Sequence, residues 1–349
     1  MRVVYKIACS LLATVPVVAL AACSSGGSTS GIGTSGPAPE VSSIVVDAVP
    51  TADEAGLYIA NDNDYFKQQG LNVKIVPIQG GEFGMADLQT GKAQLIAGNY
   101  VSFILAQIHQ SYDGKPLNMR IIADGSHMQP GNQALYVMPN SRFKTVADLT
   151  KYHASVAINS LNNVAQVLLG SLFEENGLNL NDIHQKVFAF PDMITALAKG
   201  QIDAAWLPEP FATIAQETVG AVPLADFDQG ALQNFPIGAY VGTDQWISSH
   251  PKTVAAFLRA LEEGQQVADT DRAAVEAGLV NKANTGVFAA TPLQAATMTI
   301  DTYPLNLDIP AMQRVSDAMF EFGVENGLGL TKPYQIANMV QHEPGMVSG

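Results

Sequence analysis

Short apolar runs alternate with helical patterns over the first two thirds of the chain, and this alternation limits the possible folds most strongly. A β-branched run at Ser43–Ala48 predicts a strand, and apolar spacing over 54–69 predicts the helix that follows it. Strands separated by helices of about ten residues imply βαβ units and mainly parallel sheets. Beyond Tyr240, long amphipathic helices are predicted at 253–268 and 312–322. We therefore expect an α/β fold that ends in a mostly helical part.

Charge and cysteine content exclude several classes of protein. The 349 residues include 32 acidic and 18 basic ones, a balance that would repel the phosphates of a nucleic acid. The hydrophobic fraction of 47% is too high for an intrinsically disordered chain. The only cysteines, Cys9 and Cys23, cannot provide a disulfide framework or a cysteine zinc site. The six histidines show no metal-ligand spacing, so we expect no metal and no cofactor.

The amino terminus has the pattern of an export signal. Arg2 and Lys6 precede an apolar run over 7–20, which is too short to span a bilayer as a mature helix. The run ends in Leu-Ala-Ala-Cys at 20–23, which resembles the lipobox of bacterial lipoproteins. The resemblance implies a signal peptide at 1–22 and a lipid on Cys23; the alternative is an ordinary signal peptide with a chance cysteine. Residues 23–42 then form a flexible Ser/Gly/Pro tether.

Five segments between residues 56 and 251 resemble, in order, the solute-binding proteins of ABC importers. They are 56–60 (GLYIA), 86–95 (ADLQTGKAQL), 146–158 (VADLTKYHASVAI), 196–210 (ALAKGQIDAAWLPEP) and 243–251 (TDQWISSHP). The matching branch binds nitrate, sulfonates, taurine and pyrimidine thiamine precursors. Each segment alone is weak, being mostly helix and turn chemistry, but their order behind a lipobox is specific.

The resemblance implies a two-lobed periplasmic-binding-protein-like fold of type II, in which each lobe is a mainly parallel sheet flanked by helices. Lobe 1 would comprise residues 43–130 and a mostly helical return at 239–349, and lobe 2 residues 131–238. It further implies a monomer that binds a small molecule outside the cell and delivers it to permease and ATPase subunits. The lipid would hold this domain at the outer face of the cytoplasmic membrane. No enzymatic activity is implied.

Candidate ligand-binding residues are those that directly follow predicted strands, because ligands of open α/β sheets bind beyond the carboxyl ends of the strands. These candidates are Thr51, Asp53, Gly80, Gly81, Asn99, Tyr100, Asn159, Ser160, Asp192, Trp206 and Glu209. For several of them a structural role is an open alternative. Asn99 and Ser160 could simply cap helices, Tyr100 and Trp206 could pack in the core, and Glu209 could simply complement a helix dipole.

The charge of these candidates bears on the class of ligand. They include no Arg or Lys, whereas Asp53, Asp192 and Glu209 are acidic, as are the adjacent Glu54 and the strand-end Asp124. These residues would bind a neutral or cationic organic molecule better than a small anion. A nitrogen-containing ring, such as a thiamine pyrimidine precursor, could also stack on Tyr100 and Trp206. Nitrate, taurine or alkanesulfonates are the alternative ligands. A synthase-like enzyme on the same fold is a further alternative, but the chain lacks the cysteine-rich motif of that synthase.

Overall fold

A computed structural model describes residues 36–109, 111–323 and 328–341. Its strands are β1 (Ser43–Ala48), β2 (Asn72–Pro77), β3 (Leu95–Asn99), β4 (Ser111–Tyr112), β5 (Lys115–Pro116), β6 (Met119–His127), β7 (Gln133–Val137), β8 (Ser155–Ile158), β9 (His184–Val187), β10 (Ala204–Pro208), β11 (Val222–Asp226) and β12 (Pro236–Thr243). The predicted signal peptide, Cys23 and most of the predicted tether lie outside the described residues.

Helices flank these strands. They are α1 (Ala55–Asp62), α2 (Tyr65–Gln68), α3 (Gly81–Thr90), α4 (Tyr100–His109), α5 (Val146–Lys151), α6 (Val164–Glu175), α7 (Phe190–Ala198), α8 (Phe211–Val219), α9 (Asp244–Ser249), α10 (Pro251–Thr270), α11 (Arg272–Val280), α12 (Lys282–Thr285), α13 (Pro292–Thr297) and α14 (Ile309–Gly323). Short 3₁₀ turns lie at Ala52–Glu54, Leu180–Asp182, Gly230–Leu232, Gly286–Phe288 and Ile336–Asn338. Within the described ranges, no helix is long and apolar enough to cross a membrane.

Two five-stranded sheets organise the fold. Sheet 1 has the strand order β2-β1-β3-β12-β6, and sheet 2 has the order β11-β7-β10-β8-β9. In each sheet four strands run in one direction and the fifth is antiparallel to its neighbours: β12 in sheet 1 and β7 in sheet 2. The sheets are therefore mixed, although four strands of each follow the expected parallel direction.

The antiparallel strands have a common origin in the path of the chain. The chain leaves sheet 1 after β6 and enters sheet 2 through β7; it leaves sheet 2 after β11 and re-enters sheet 1 through β12. A strand that enters from the other sheet is not joined to its neighbours by a βαβ crossover, which is the connection that makes strands parallel. The predicted parallel pattern holds only where such crossovers exist.

Local sequence explains where the helices begin and end. Thr145 caps α5, since its hydroxyl accepts from the Asp148 amide while the Asp148 carboxylate accepts from the Thr145 amide. The predicted helix over 54–69 is broken instead into a 3₁₀ turn, α1 and α2. The break lies at Asp64, whose φ of 60° is incompatible with continuing the helix.

Two apolar clusters form the core. One lies on one face of sheet 1 and includes Ile44 and Val46 of β1 and Phe257 of α10, whose ring stacks on Phe66 at 5.1 Å. The other begins on the opposite face of sheet 1 and extends through sheet 2. Helix α14 packs on α6 and α4, so the carboxyl-terminal part contacts helices beside both sheets. This packing fixes the strand ends that form the site.

Candidate functional site

A cleft lies between the two sheets, at the edge where β1, β3, β8 and β10 end. Sheet 1 and its connections contribute Val49, Thr51, Asp53, Glu54, Gly98, Asn99 and Ile237. Sheet 2 and its connections contribute Gln133, Asn159, Val164, Phe190, Trp206 and Pro208. The space between these side chains is about 340 Å³, counted out to the open mouth.

Two adjacent carboxyl groups form the acidic part of the cleft, in the 3₁₀ turn after β1. The Thr51 hydroxyl donates to Asp53 Oδ2 at 2.8 Å, and Gln133 Nε2 lies 3.5 Å from Asp53 Oδ1. Glu54 is only 1% exposed, and neither of its carboxylate oxygens makes a hydrogen bond of normal geometry to a described residue. A buried carboxylate without donors is costly, so Glu54 is the most unusual group of the cleft.

Burial controls the protonation of this region. It raises the pKa of Asp53 to about 6 and the pKa of Glu54 well above its ordinary value, and the charge on Asp53 raises the latter further. Asp301, which lies against Asp53 and accepts a hydrogen bond from Asn132, also has a strongly raised pKa because it is buried and faces another carboxyl. The site therefore holds protons that exposed carboxyl groups would have lost.

Tyrosine side chains enclose the carboxyl groups from three other elements. The hydroxyl of Tyr58 donates to the Val49 carbonyl at 3.2 Å, and that of Tyr303 donates to the Ala52 carbonyl at 2.8 Å. The Tyr240 hydroxyl lies beside Glu54 and moderates the rise of its pKa. Two of the three hydroxyls thus donate to backbone carbonyls and do not donate to Glu54.

Aromatic rings form the facing wall. Trp206 and Phe190 meet edge to face with ring centroids 5.5 Å apart, and Phe190 stacks on Phe211 at 5.0 Å. The Trp206 indole Nε1 donates to Gln133 Oε1 at 3.1 Å. Gln133 therefore contacts both the aromatic wall and the carboxyl group of Asp53. This arrangement gives the cleft one apolar side and one acidic side.

Hydrogen bonds join the two sides of the cleft directly. Gln79 Nε2 donates to the Asn159 carbonyl at 2.9 Å, and Asn159 Nδ2 donates to the Gln79 carbonyl at 3.1 Å. The Ala52 amide donates to the Glu209 carbonyl at 2.9 Å. Gly80 permits this approach, because a Cβ there would lie 3.1 Å from Asn159 Nδ2. The structure thus has its two sides in direct contact.

Five of the predicted site residues line the cleft: Thr51, Asp53, Asn99, Asn159 and Trp206. Asn99 also accepts from the Ser102 amide at 2.9 Å, so the capping role coexists with its place in the lining. Trp206 is 4% exposed and packs in the core with one face toward the cleft, which combines the two alternatives weighed for it.

Three predicted residues are placed elsewhere. Tyr100 is buried at the start of α4, and its hydroxyl donates to Asp124 at 2.7 Å inside the core, so it forms no wall of the cleft. The Glu209 carboxylate turns away to accept from Thr213, and burial raises its pKa to about 7. Asp192 is exposed in the first turn of α7 and does not line the cleft.

The remaining predicted residues flank the cleft without lining it. Gly80 brings the two sides together, and a Cβ on Gly81 would lie 3.1 Å from the Phe103 ring, so both glycines serve close packing. Ser160 is buried, and its hydroxyl lies near the carboxyl group of Glu82, whose pKa burial raises. None of these three contributes to the lining described above.

Gln133, Phe190 and Ile237 line the cleft but do not follow predicted strands. Gln133 and Ile237 lie at the beginnings of β7 and β12, the two antiparallel strands. An antiparallel strand starts at the edge where its neighbours end, and Gln133 indeed pairs with Pro208 at the end of β10. The signal that could have located them is the strand direction, which the sequence did not reveal.

The lining carries no basic side chain: none of these residues is Lys, Arg or His. In the part of the chain that the structure describes, no group of three or more His, Cys, Asp or Glu side chains could hold a metal ion. The arrangement can therefore offer acceptors for protonated or polar nitrogen and a flat apolar surface for a ring. Complementary charge for an anion would have to come from backbone amides alone.

Comparison with solved structures identifies the fold. The alkanesulfonate-binding protein SsuA from Xanthomonas axonopodis pv. citri, bound to MOPS, matches with a TM-score of 0.68 at 18% identity, covering 86% of this chain and 99% of that one. The periplasmic nitrate-binding protein NrtA from Synechocystis matches with a TM-score of 0.72 at 17% identity, covering 87% and 86%. A Candida albicans protein described as having the generic periplasmic binding protein fold matches with a TM-score of 0.68 at 12% identity, covering 88% and 99%.

These identities are low enough that the structures establish the fold alone, an α/β periplasmic-binding-protein fold with two mixed sheets. Among curated proteins, no relative matches the sequence. A family model matches residues 37–280, which is more than half of the chain and includes every residue of the cleft lining. On this evidence the chain belongs to the NMT1-like family.

Proposed function

We propose that this protein is the solute-binding component of an ABC importer and that it captures a small organic molecule in the cleft between its sheets. Proteins of the same fold include one named for nitrate and one named for alkanesulfonates, both of which are binding proteins. The cleft has the position of a ligand site, between the sheets at the ends of their strands, and its described lining brings no nucleophile beside a base. Binding rather than catalysis is the function that this site supports.

The single observation that carries the choice of ligand is that two carboxyl groups, Asp53 and Glu54, line the same cleft as the ring of Trp206. A molecule that presents a planar face to Trp206 and N–H groups to the carboxyls would satisfy both sides. A nitrogen-containing ring, such as a thiamine pyrimidine precursor, has this pattern. Charge-assisted hydrogen bonds to carboxylates contribute about 1.5–3 kcal/mol each.

Anions such as nitrate, taurine and alkanesulfonates are the second candidate, because proteins with this fold are named for some of them. For an anion, an ionised Asp53 or Glu54 would be repulsive and no lining side chain carries a compensating positive charge; a protonated Glu54 could donate only one hydrogen bond. The synthase-like alternative depends on a cysteine-rich motif, whereas the sequence has only two cysteines. The nitrogen-bearing solute therefore has the stronger physical case.

Capture would involve closure of two lobes. We take lobe 1 as residues 43–130 with the return at 239–349, and lobe 2 as residues 131–238, which assigns nearly all of each sheet to one lobe. A ligand that contacts both lobes favours the closed state by its differential affinity for that state. The bonds between Gln79 and Asn159 would form on closure and break on release.

Delivery would take place at the outer face of the cytoplasmic membrane. We propose that the lipid on Cys23 anchors the chain and that the Ser/Gly/Pro segment up to residue 39 lets the domain reach its permease. The predicted tether extends to residue 42, but the Glu40 carboxylate accepts from the Lys252 and Thr253 amides and so ties residues from 40 onward to α10. The protein would act as a monomer, with permease and ATPase subunits as its partners. This arrangement keeps the binding domain near the transporter without placing it in the bilayer.

Fluorescence titration tests the proposal, because the chain has two tryptophans and one of them lies in the cleft. In a Trp246→Phe variant the remaining emission reports on Trp206 alone. We expect 4-amino-5-hydroxymethyl-2-methylpyrimidine to quench or shift this emission with a Kd near micromolar, about −8 kcal/mol. Nitrate, taurine and ethanesulfonate should cause little change at the same concentration.

Two results would decide against this choice. Tight binding of nitrate or a sulfonate would reverse the substrate class and leave solute capture in place. Binding that does not alter Trp206 emission, and that persists unchanged in a Trp206→Ala variant, would move the site away from the cleft. We expect Trp206→Ala to weaken pyrimidine binding at least tenfold, or about 1.4 kcal/mol.

A further inference from the structure

We propose that the acidic side of the cleft is a subsite for a protonated nitrogen, an ammonium or amidinium group that binds between Glu54 and Asp53. This inference rests on the proposed function, because it names the chemical class that the same cleft would select. Glu54 lines the cleft, is 1% exposed and has no hydrogen-bond partner of normal geometry among the described residues.

A buried carboxyl group without donors needs a compensating partner, since desolvation without pairing is costly. The surrounding residues supply almost none: the Tyr58 and Tyr303 hydroxyls donate to backbone carbonyls, and only the Tyr240 hydroxyl lies beside Glu54. Glu54 and Asp53 both line the cleft, and the Glu54 carboxylate oxygens are buried in this structure, so a group that enters as the cleft opens would meet both. The missing donors would come from the ligand.

The charges around Glu54 indicate that the hydrogen-bond donor supplied by the ligand is a cation. The titratable groups that face Glu54 are the carboxyls of Asp53 and Asp301 and the hydroxyls of Tyr58, Tyr240 and Tyr303. Every one of them is acidic, so none can supply positive charge. A neutral amide or hydroxyl would satisfy one oxygen, whereas an ammonium group has three donors and carries the compensating charge.

Proton release would accompany such binding. In this structure burial raises the pKa of Asp53 to about 6 and those of Glu54 and Asp301 well above their ordinary values, so protons remain on the cluster near neutral pH. A cation between Glu54 and Asp53 favours their ionised forms and lowers their pKa values. The positively charged ligand would thus replace a proton of the carboxyl cluster, and that proton would be released to solvent.

Three probes that share one ring test the subsite: benzylamine, benzyl alcohol and phenylmethanesulfonate. We expect isothermal titration at pH 7.5 to show benzylamine binding at least tenfold more tightly than benzyl alcohol, and no binding of the sulfonate. Titration in phosphate and in Tris buffer should show about one proton released per benzylamine bound. Calcium chloride serves as an inorganic cation and should neither bind nor compete.

Glu54→Gln is the decisive variant, since the amide keeps the shape of the side chain and removes its charge. We expect the preference for benzylamine over benzyl alcohol to fall below threefold and the proton release to disappear. Asp53→Asn should reduce the preference in the same direction, as an independent variant of the subsite. Asp192→Asn is the matched control, because Asp192 is an exposed carboxylate outside the lining.

The possible failures are distinguishable. If benzyl alcohol or the sulfonate binds as tightly as benzylamine and Glu54→Gln has no effect, the cation subsite is wrong while solute capture stands. Competition by calcium would replace the organic cation with a metal ion and also overturn the subsite. If no probe binds while the pyrimidine still changes Trp206 emission, the subsite alone is overturned; if neither the probes nor the pyrimidine binds, the proposed function is overturned as well.

Discussion

Replacing Asp53 with Asn should stabilise the protein at neutral pH, although the side chain lies in the proposed binding site. Burial raises the pKa of Asp53 from 3.8 to about 6. Each pKa unit corresponds to about 1.36 kcal/mol, so ionising this group in the folded protein costs about 3 kcal/mol more than in the unfolded chain. Asn cannot ionise, and its carbonyl oxygen can still accept from the Thr51 hydroxyl.

The pH dependence of this effect has a definite sign. Between pH 3.8 and about 6 the folded protein keeps a proton on Asp53 that the unfolded chain has lost. The free energy of unfolding therefore falls as pH rises through that interval and becomes constant above it. The Asp53→Asn variant does not lose this stability, because its side chain cannot ionise. Its gain over the wild type should grow from about 1 kcal/mol at pH 4.5 to about 3 kcal/mol at pH 7.5.

Denaturant unfolding at the two pH values measures this difference. Glu262→Gln is the control, because Glu262 is exposed in α10 and its replacement should change the free energy of unfolding by less than about 0.5 kcal/mol. An Asp53→Asn variant that is less stable than the wild type at pH 7.5 would refute the reasoning. So would a gain of equal size at both pH values, since it would not arise from ionisation.

Three further predictions concern other parts of the molecule. Gln79→Ala removes one bond to Asn159 across the cleft, worth about 0.5–1.5 kcal/mol, and should weaken ligand binding roughly two- to twelvefold; unchanged or stronger binding in titration would contradict it. Gly264→Ala should lower the free energy of unfolding by at least about 1–3 kcal/mol despite the helix propensity of Ala, because its Cβ would lie 2.2 Å from the Gly56 carbonyl oxygen; unchanged stability in denaturant would contradict it. Cys23→Ala should move the protein from the membrane fraction to the soluble fraction, and retention in the membrane would exclude the lipid anchor.

The sequence predicted the architecture well where the chain follows simple βαβ units. The strand predicted at Ser43–Ala48 has those bounds in the structure, and the long helices predicted after Tyr240 are present as α10 and α14. The strand-end rule correctly placed Asp53 beside the cleft, whereas Trp206 lines the cleft from within β10 and not, as predicted, from beyond its end. These inferences succeed because hydrophobic periodicity and the carboxyl-end rule depend on local sequence.

The other features of the site depend on contacts between distant parts of the chain, which no local sequence pattern reveals. Gln133 lines the cleft only because β7 runs antiparallel, which follows from the path of the chain between the sheets. Tyr100 and Glu209 follow strands as predicted, but their side chains turn to Asp124 and Thr213. The position of a residue directly after a strand does not determine the direction of its side chain, since that direction depends on the packed neighbours.

The most direct test of the central claim is native mass spectrometry of the protein after incubation with a small-molecule extract of cells and re-isolation. We expect a complex with one bound molecule, whose mass is lost on denaturation and whose composition includes a basic nitrogen. The same experiment on the Trp206→Ala variant should yield the empty protein. A retained sulfonate or nitrate would contradict the nitrogen-bearing solute, and protein that emerges with no bound molecule would contradict solute capture itself.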